Sequence, residues 1–339
     1  MDKLIDIIIP AYNSHKTIVR LLGSILCQTI IDNIIVTIVN DCGDNYSEIV
    51  KLFSNYMSVR EISLPENRGP GVARQLGIDS TNCPFIVFAD SDDSFDGAFA
   101  LETLLQEINK YPNTIGVFAE HFLEVRDKEL KFAQFPPNFV WAFAKIYRRE
   151  KLEIYQVRFN NSRANEDVGF NRYINLVVEN EEERPVMFNA TVYNWHDNKN
   201  SITRINPDFV FSDNVCGYID NMIYAINRAK KYVKGGIARQ ALNKEIITTM
   251  GDLYLFYWEA DSKKPEFSEK NFKEVVRYYK ELFQDIEIMF DSSFINGLII
   301  ETFKVKKETL SSILPKETYF QFMERIKEEV RKEEENEDK

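Results

Sequence analysis

Phe85-Ile86-Val87-Phe88-Ala89-Asp90-Ser91-Asp92-Asp93 is the stretch from which the chain is best read. Five apolar residues follow Pro84 and run straight into an acidic cluster. A short apolar run bounded in this way is a buried-strand pattern. Asp90, Asp92, Asp93 and Asp96 then place four carboxylates within seven residues. Like charges crowded in a partly buried cleft raise one another's pKa unless a cation compensates. A hard divalent ion that prefers oxygen ligands, Mg2+ or Mn2+, would do so. Taken alone, the run fits equally a solvated acidic turn that caps a helix starting near Phe95 or Gly97.

Upstream, strands and helices alternate. Ile5-Asp6-Ile7-Ile8-Ile9, closed by Pro10, reads as a first strand. Residues 15–29 carry Ile18, Leu21, Leu22, Ile25 and Leu26 at helical spacing, with Asn13 or Ser14 as the cap. Ile34 to Val39 reads as a second strand and Tyr46 to Tyr56 as a helix. Val59 to Leu64 reads as a third strand, followed by a helix from Gly71 to Asp79. This alternation predicts an α/β fold with a mostly parallel central sheet flanked by helices. Ligands of such open sheets sit beyond the carboxyl ends of the strands. Tyr12-Asn13, Asn40-Asp41 and Asp90–Asp93 all fall at such ends.

Downstream the pattern changes. Strands are expected at Ile115–Val125, Lys131–Phe135 and Val186–Tyr193, and helices at 149–156 and 167–178. Beyond residue 208 the strand signal fades into long helical stretches near 212–233, 236–262, 268–291 and 316–335, with Pro265 and Pro315 between them. The expected division is residues 1–208 and an all-helical domain over 209–339. That second domain would serve acceptor binding or a homo-oligomer contact. The charge-dense tail from Glu324 is expected as a frayed helix on the solvent face.

The bulk numbers bound the function. The chain has 339 residues and 44% hydrophobic content, enough to build a core. Its net charge of −11 shows no basic footprint in the totals, which disfavours duplex DNA as the main partner. The four cysteines are scattered without a C-x-x-C pair, so a zinc site or disulfide framework is not expected and a reducing compartment fits. The first apolar run is too short for a signal peptide, and no stretch reaches the length of a membrane span. These readings lead to a cytoplasmic expectation. Sequences of the H-E-x-x-H, Walker A and G-x-S-x-G kinds are absent. A nucleotidyltransferase would need a glycine-rich phosphate loop after the first strand, where this chain has Pro10-Ala11-Tyr12-Asn13-Ser14.

Several segments resemble family 2 glycosyltransferases, which have the GT-A fold. Ile7-Ile8-Ile9-Pro10-Ala11-Tyr12-Asn13 resembles their opening strand, and Val39-Asn40-Asp41-Cys42-Gly43-Asp44-Asn45 their second strand end. Asn67-Arg68-Gly69 with Ala73-Arg74-Gln75-Leu76-Gly77 is similar to their N-x-G…A-R-N-x-G segment. Phe88–Asp93 resembles their D-x-D strand end, Asn165–Phe170 their E-D motif, and Ser201-Ile202-Thr203-Arg204 a later segment. The resemblance covers roughly residues 4–205, with the motifs in order and at the right spacing. Asn40 and Gln75 depart from it, where the family usually has an acid and an Asn.

The resemblance implies a nucleotide-sugar donor, UDP being the family's usual nucleotide, and an acceptor glycan, polymer or other hydroxyl-bearing molecule. It implies that Pro10, Tyr12, Asn13 and Asp41 hold the nucleotide, Tyr12 by stacking on the base and Asp41 by hydrogen bonding. Arg74 and Arg204 would face the diphosphate. Asp90 and Ser91 would contact the ribose or sugar. Asp92, with Asp93 and His196, would bind Mn2+ or Mg2+. Asp167, beside Glu166, would be the general base of an inverting transfer. Trp141 and Lys145 would line the acceptor side. Each has a plainer reading: a loop aromatic for Tyr12, ion pairs for Arg74 and Arg204, a helix N-terminal acidic pair for Glu166-Asp167, a structural His196, a core Trp141. A catalytically silent scaffold on the same fold is the alternative from another class; the joint presence of Asp41, Asp90, Asp92 and Asp167 argues against it.

Overall fold

The β-branched run Ile5–Ala11 forms strand β1, and every residue in it except Pro10 is buried. Apolar side chains on both faces suit a strand covered on both sides. In the computed structural model, which describes residues 3–126, 130–198, 213–233, 236–283 and 315–337, β1 lies parallel between β2 (Ile34–Asn40) and β4 (Phe85–Phe88). Ile5 sits opposite both Ile34 and Phe85, so the three carboxyl ends emerge on one edge. β3 (Ser58–Ser63) adds to β2, also parallel.

Helix α1 (His15–Leu26) buries Ile18, Leu21, Leu22 and Ile25, the stripe its spacing predicts. Helix α2 (Ser47–Phe53) precedes β3. Helix α3 (Pro70–Asp79) starts with proline, whose missing N–H is no loss at a first turn. It packs so closely on β1 that a Cβ on Gly77 would fall 2.3 Å from Ile8 Cγ2.

The second half extends the sheet differently. It contains β5 (Ser94–Phe95), α4 (Ala100–Lys110), β6 (Gly116–Arg126), β7 (Leu130–Phe135), β8 (Lys145–Arg148), α5 (Arg149–Ile154), α6 (Glu166–Val177) and β9 (Val186–Trp195). The strand order is β3-β2-β1-β4-β8-β6-β9-β5, with β7 attached to β6. β8 enters antiparallel to both β4 and β6, whereas β9 runs parallel to β6. The sheet is therefore parallel from β3 to β4 and mixed beyond.

The helix expected near Phe95 or Gly97 begins later, at Ala100. Ser94 and Phe95 pair instead with Asn194 and Tyr193, and Gly97 takes a φ of +73°, which interrupts helical geometry.

Contacts divide the chain into two compact units, 1–201 and 202–339. The described part of the second is helical: α7 (Asp213–Lys230), α8 (Gly236–Lys263), α9 (Ser268–Phe283) and α10 (Tyr319–Glu337). Ile219, Met222, Leu242, Met250, Val275 and Phe322 are buried within it. The Arg325 guanidinium lies 3.8 Å from the Phe272 ring centroid, so this cation is housed against aromatic faces. Among the described residues, no helix is long and apolar enough to cross a membrane.

Candidate active site

The parallel strands deliver their polar ends to one edge. After β1, Tyr12 is half exposed and Asn13 adopts a left-handed backbone at φ 49°. Pro10 is the partly exposed residue of β1. The loop after β2 presses against this turn, since a Cβ on Gly43 would lie 2.7 Å from the Asn13 nitrogen. Between β2 and β3 opens a polar cavity of about 440 Å³, lined by Asn40, Gly43, Asp44, Asn45, Glu61 and Ser63 among others. It lies beside Asp41 in sequence and is not lined by the acidic run.

Asp41 is buried, and its two carboxylate oxygens accept the backbone N–H groups of Arg68 (2.7 Å) and Gly69 (2.8 Å). It thereby ties the Asn67-Arg68-Gly69 turn to the end of β2. Gly69, at φ +88°, starts α3 where a Cβ would meet the backbone of Arg163 and Ser162 at 3.0–3.1 Å. The approach continues at Gly71, whose Cβ would lie 2.5 Å from the Asn160 carbonyl oxygen. These close contacts bring the segment leading to Glu166-Asp167 down onto α3.

Arg74 stands at the junction. Its guanidinium is buried and donates to Glu166 Oε1 and to Asp90 Oδ1, the latter at 2.5 Å. Burial works against the charged form, but Glu166 and Asp90 outweigh it and raise its pKa above the usual value. Arg74 is thus neither a surface ion pair nor an open anion-binding group. It clamps the end of β4 to the start of α6. Glu166 sits at 5% side-chain exposure, and burial raises its pKa while Arg74 opposes the shift.

Asp167 follows at the first turn of α6, partly accessible, and its Oδ1 accepts the Val168 N–H at 2.9 Å. Burial, then repulsion from Glu166 and Asp90, pushes its pKa up to about 7, with Arg74 opposing. A carboxylate poised there can accept a proton near neutral pH.

The acidic run divides into distinct environments. Asp90 and Ser91 are partly accessible. Asp92 Oδ2 accepts from Asn198 Nδ2 at 2.7 Å, and Arg20 donates to the Asp92 carbonyl oxygen. Burial and the neighbouring Asp90 raise the Asp92 pKa. Asp93 is completely buried; Oδ1 accepts the His196 backbone N–H at 2.9 Å, and the Tyr193 hydroxyl also favours the carboxylate. Burial, Asp90 and Asp92 push its pKa well above the ordinary range.

The structure does not converge Asp92, Asp93 and His196 into a ligand set. Both His196 ring nitrogens are engaged, Nε2 with Ser94 Oγ at 2.8 Å and Nδ1 with Glu124 Oε2 at 2.5 Å. Among the described residues, no three His, Cys, Asp or Glu side chains are arranged to hold a metal ion. The mutual repulsion of Asp90, Asp92 and Asp93 still fits a nearby cation. Magnesium-type ions commonly take only one or two carboxylates and complete their shell with phosphate oxygens and water.

On the other side, Trp141 joins an aromatic cluster, stacked on Phe143 at 5.9 Å and tilted against Trp195 at 5.4 Å. Lys145 does not line an open face. It is 1% exposed on β8 and donates inward to the Trp141 (2.6 Å) and Phe143 (3.3 Å) carbonyl oxygens. Arg204 lies outside the described residues.

Sequence reasoning missed the groups that brace the site. Tyr193 Oη accepts the Asp90 N–H at 2.8 Å. Glu124 holds His196 across 72 positions, a pairing with no local signal. Asn171 had one: it stands four residues after Asp167, hence on the same helix face.

Residues 6–166 match the model of the glycosyl transferase family 2. This match lies within the first unit, 1–201, and identifies that unit as a family 2 glycosyltransferase domain. It is 29% identical over 232 residues to the glycosyltransferase GlyA of Streptococcus pneumoniae, a match that covers 60% of this chain but only 32% of that protein. It is 24% identical over 300 residues to the uncharacterized glycosyltransferase EpsJ of Bacillus subtilis, covering 82% and 85% of the two chains. The fold resembles that of S. aureus TarS residues 1–349, solved in complex with UDP-GlcNAc, with a TM-score of 0.66 over 91% of this chain and 92% of that one at 16% identity. The chain has this GT-A architecture, with the helical unit following it.

Proposed function

We propose that this protein is an inverting glycosyltransferase that moves a sugar from a nucleoside diphosphate donor to an acceptor hydroxyl. The observation that carries the reading is Asp167: a carboxylate with its pKa pushed up to about 7, partly accessible, and fixed beside the Arg74–Asp90 clamp at the carboxyl edge of the sheet. The UDP-GlcNAc held by TarS supports a UDP-sugar as the donor to test first. The polar cavity between β2 and β3, with Tyr12 and Asp41 alongside, supports the nucleoside position.

In this reading Asp167 takes the proton from the acceptor hydroxyl as its oxygen attacks the anomeric carbon. The bond from that carbon to the donor diphosphate breaks, and the nucleoside diphosphate leaves with the electron pair. Such a positioned base contributes about 10²–10⁴-fold. Arg74 pairs directly with Glu166 and Asp90, so of Glu166 and Asp167 it is Asp167 that is partly accessible to an acceptor. A divalent cation held by Asp92 and by the donor's own phosphate oxygens would offset charge on the leaving group. Asp93 and His196 brace that strand end from behind. The helical unit, 202–339, is assigned to acceptor binding or self-association, and the free cysteines fit a reducing, cytoplasmic setting.

Purified protein incubated with Mn2+ and a panel of UDP-sugars should release UDP, and Asp167→Asn should cut release by about 10²-fold or more while calorimetry still detects donor binding. No release and no UDP binding by the wild-type protein would sink the enzyme reading and favour a silent scaffold.

A further inference from the structure

Two buried polar side chains stand behind the candidate base. Asn171 is completely buried. Its Nδ2 donates to the carbonyl oxygens of Asp167 (3.1 Å), Trp141 (2.9 Å) and Val140 (3.3 Å). Its Oδ1 accepts the Tyr147 hydroxyl at 2.8 Å. The Trp141 carbonyl oxygen therefore takes two donors, Asn171 and Lys145. Lys145 also donates to the Phe143 carbonyl oxygen and lies 5.0 Å from the Phe118 ring centroid.

Burying an ammonium is costly, and hydrogen bonds to neutral carbonyls only partly offset it. A methionine would fill nearly the same volume without that cost. The charge has a partner: Asp167's carboxylate attracts it across this frame. His121, also buried and stacked on Phe135 at 5.4 Å, faces it from β6 and is kept neutral by burial and by Lys145 itself. Tyr147 on β8 and Arg74, Glu166 and Asp90 are the other titratable groups that interact with Asp167.

We propose that Lys145 is a positioning residue for the transfer site: with Asn171 it clamps the Val140–Ala144 loop to the first turn of α6 and presents a buried positive charge to Asp167. The proposal rests on Asp167 as the base. Burial draws Lys145 down to about 7, with Asp167 opposing, and burial with Glu166 and Asp90 draws Asp167 up to about 7, so both groups titrate near neutral pH. Lys145 reaches the acceptor only through Asp167 and the loop.

The test compares the wild-type chain with Lys145→Met, Lys145→Gln and Asp167→Asn. Readouts are UDP-sugar binding, the pH profile of transfer, and amide hydrogen exchange of residues 140–144. Lys145→Met should bind donor as the wild type does. It should lose about tenfold in kcat, move the rising limb of the profile measurably to higher pH, and exchange faster in the loop. Lys145→Gln retains a donor without charge, so its loop should stay protected while its limb still moves. A Lys145→Met profile that falls without shifting, or loop exchange that is unchanged, overturns the proposal. Asp167→Asn separates the two claims: if it abolishes transfer while both Lys145 variants match the wild type, the base stands and the positioning role is refuted. If Lys145→Met does not fold, Lys145→Gln decides by the same limb.

Discussion

Replacing Arg74 with methionine would remove the cation that joins β4 to α6 while keeping an unbranched side chain of similar length. Two carboxylates lose their partner: Glu166 at 5% side-chain exposure and Asp90 at 32%. Breaking a buried pair by deleting one member costs about 3–5 kcal/mol, because the remaining charge is left uncompensated. In a unit of this size each kcal/mol lowers Tm by about 2–4 °C, so the expected drop at pH 8 is roughly 6–20 °C. The sign with pH follows from Glu166. Its folded pKa is already raised by burial, and loss of Arg74 raises it further. A group with a raised folded pKa contributes stability at low pH that is lost as pH rises through that value. The deficit of Arg74→Met should therefore shrink between pH 8 and pH 5, as Glu166 takes up a proton. Glu166→Gln added to Arg74→Met should recover a large part of the loss. Thermal melts followed by circular dichroism across this pH range test the reasoning. A drop below about 2 °C at pH 8, or one equally large at pH 5, would refute the clamp.

Other outcomes follow from the same geometry. Wild-type transfer should rise with pH through about 7 as Asp167 ionises, a limb absent from the residual activity of Asp167→Asn, which should fall by about 10²-fold or more. Asp92→Ala should weaken donor binding in the presence of Mn2+ and leave binding in EDTA unchanged, as calorimetry would read; equal weakening in both buffers would count against a cation at that residue. Gly77→Ala forces a methyl group to 2.3 Å from Ile8, so an overpacking loss of about 1–3 kcal/mol is expected in chemical denaturation, and a neutral result would show that α3 moves freely on β1.

Most elements were legible because their signal is local. Ile5–Ala11, Ile34–Asn40 and Phe85–Phe88 carry β-branched and apolar runs that announce burial on both faces, and α1 displays its stripe at 3.6-residue spacing. β5 and β8 were not visible. They are two and four residues long, too short for a period, and exist because Tyr193 and the edges of β4 and β6 offer backbone partners. In the same way Gly97 broke a helix expected from the acidic turn, through a backbone angle that no pattern of neighbours discloses.

The acidic run Asp90–Asp93 owes its position to local sequence and its environment to packing. Sequence alone determined that Asp90, Asp92 and Asp93 follow a buried strand, and parallel alternation placed Tyr12, Asp41 and that run at the same sheet edge. Side-chain alternation and strand succession are properties of neighbours along the chain. Only the tertiary structure decided that Asp90 is held by Arg74, that Asp93 turns into the core against His196, and that Lys145 points inward behind Asp167. Arg74 and Glu166 are 92 positions apart, and His196 and Glu124 are 72 apart. Whether a carboxylate is free, paired or buried depends on which distant group the fold brings within hydrogen-bond reach, and that is settled by packing.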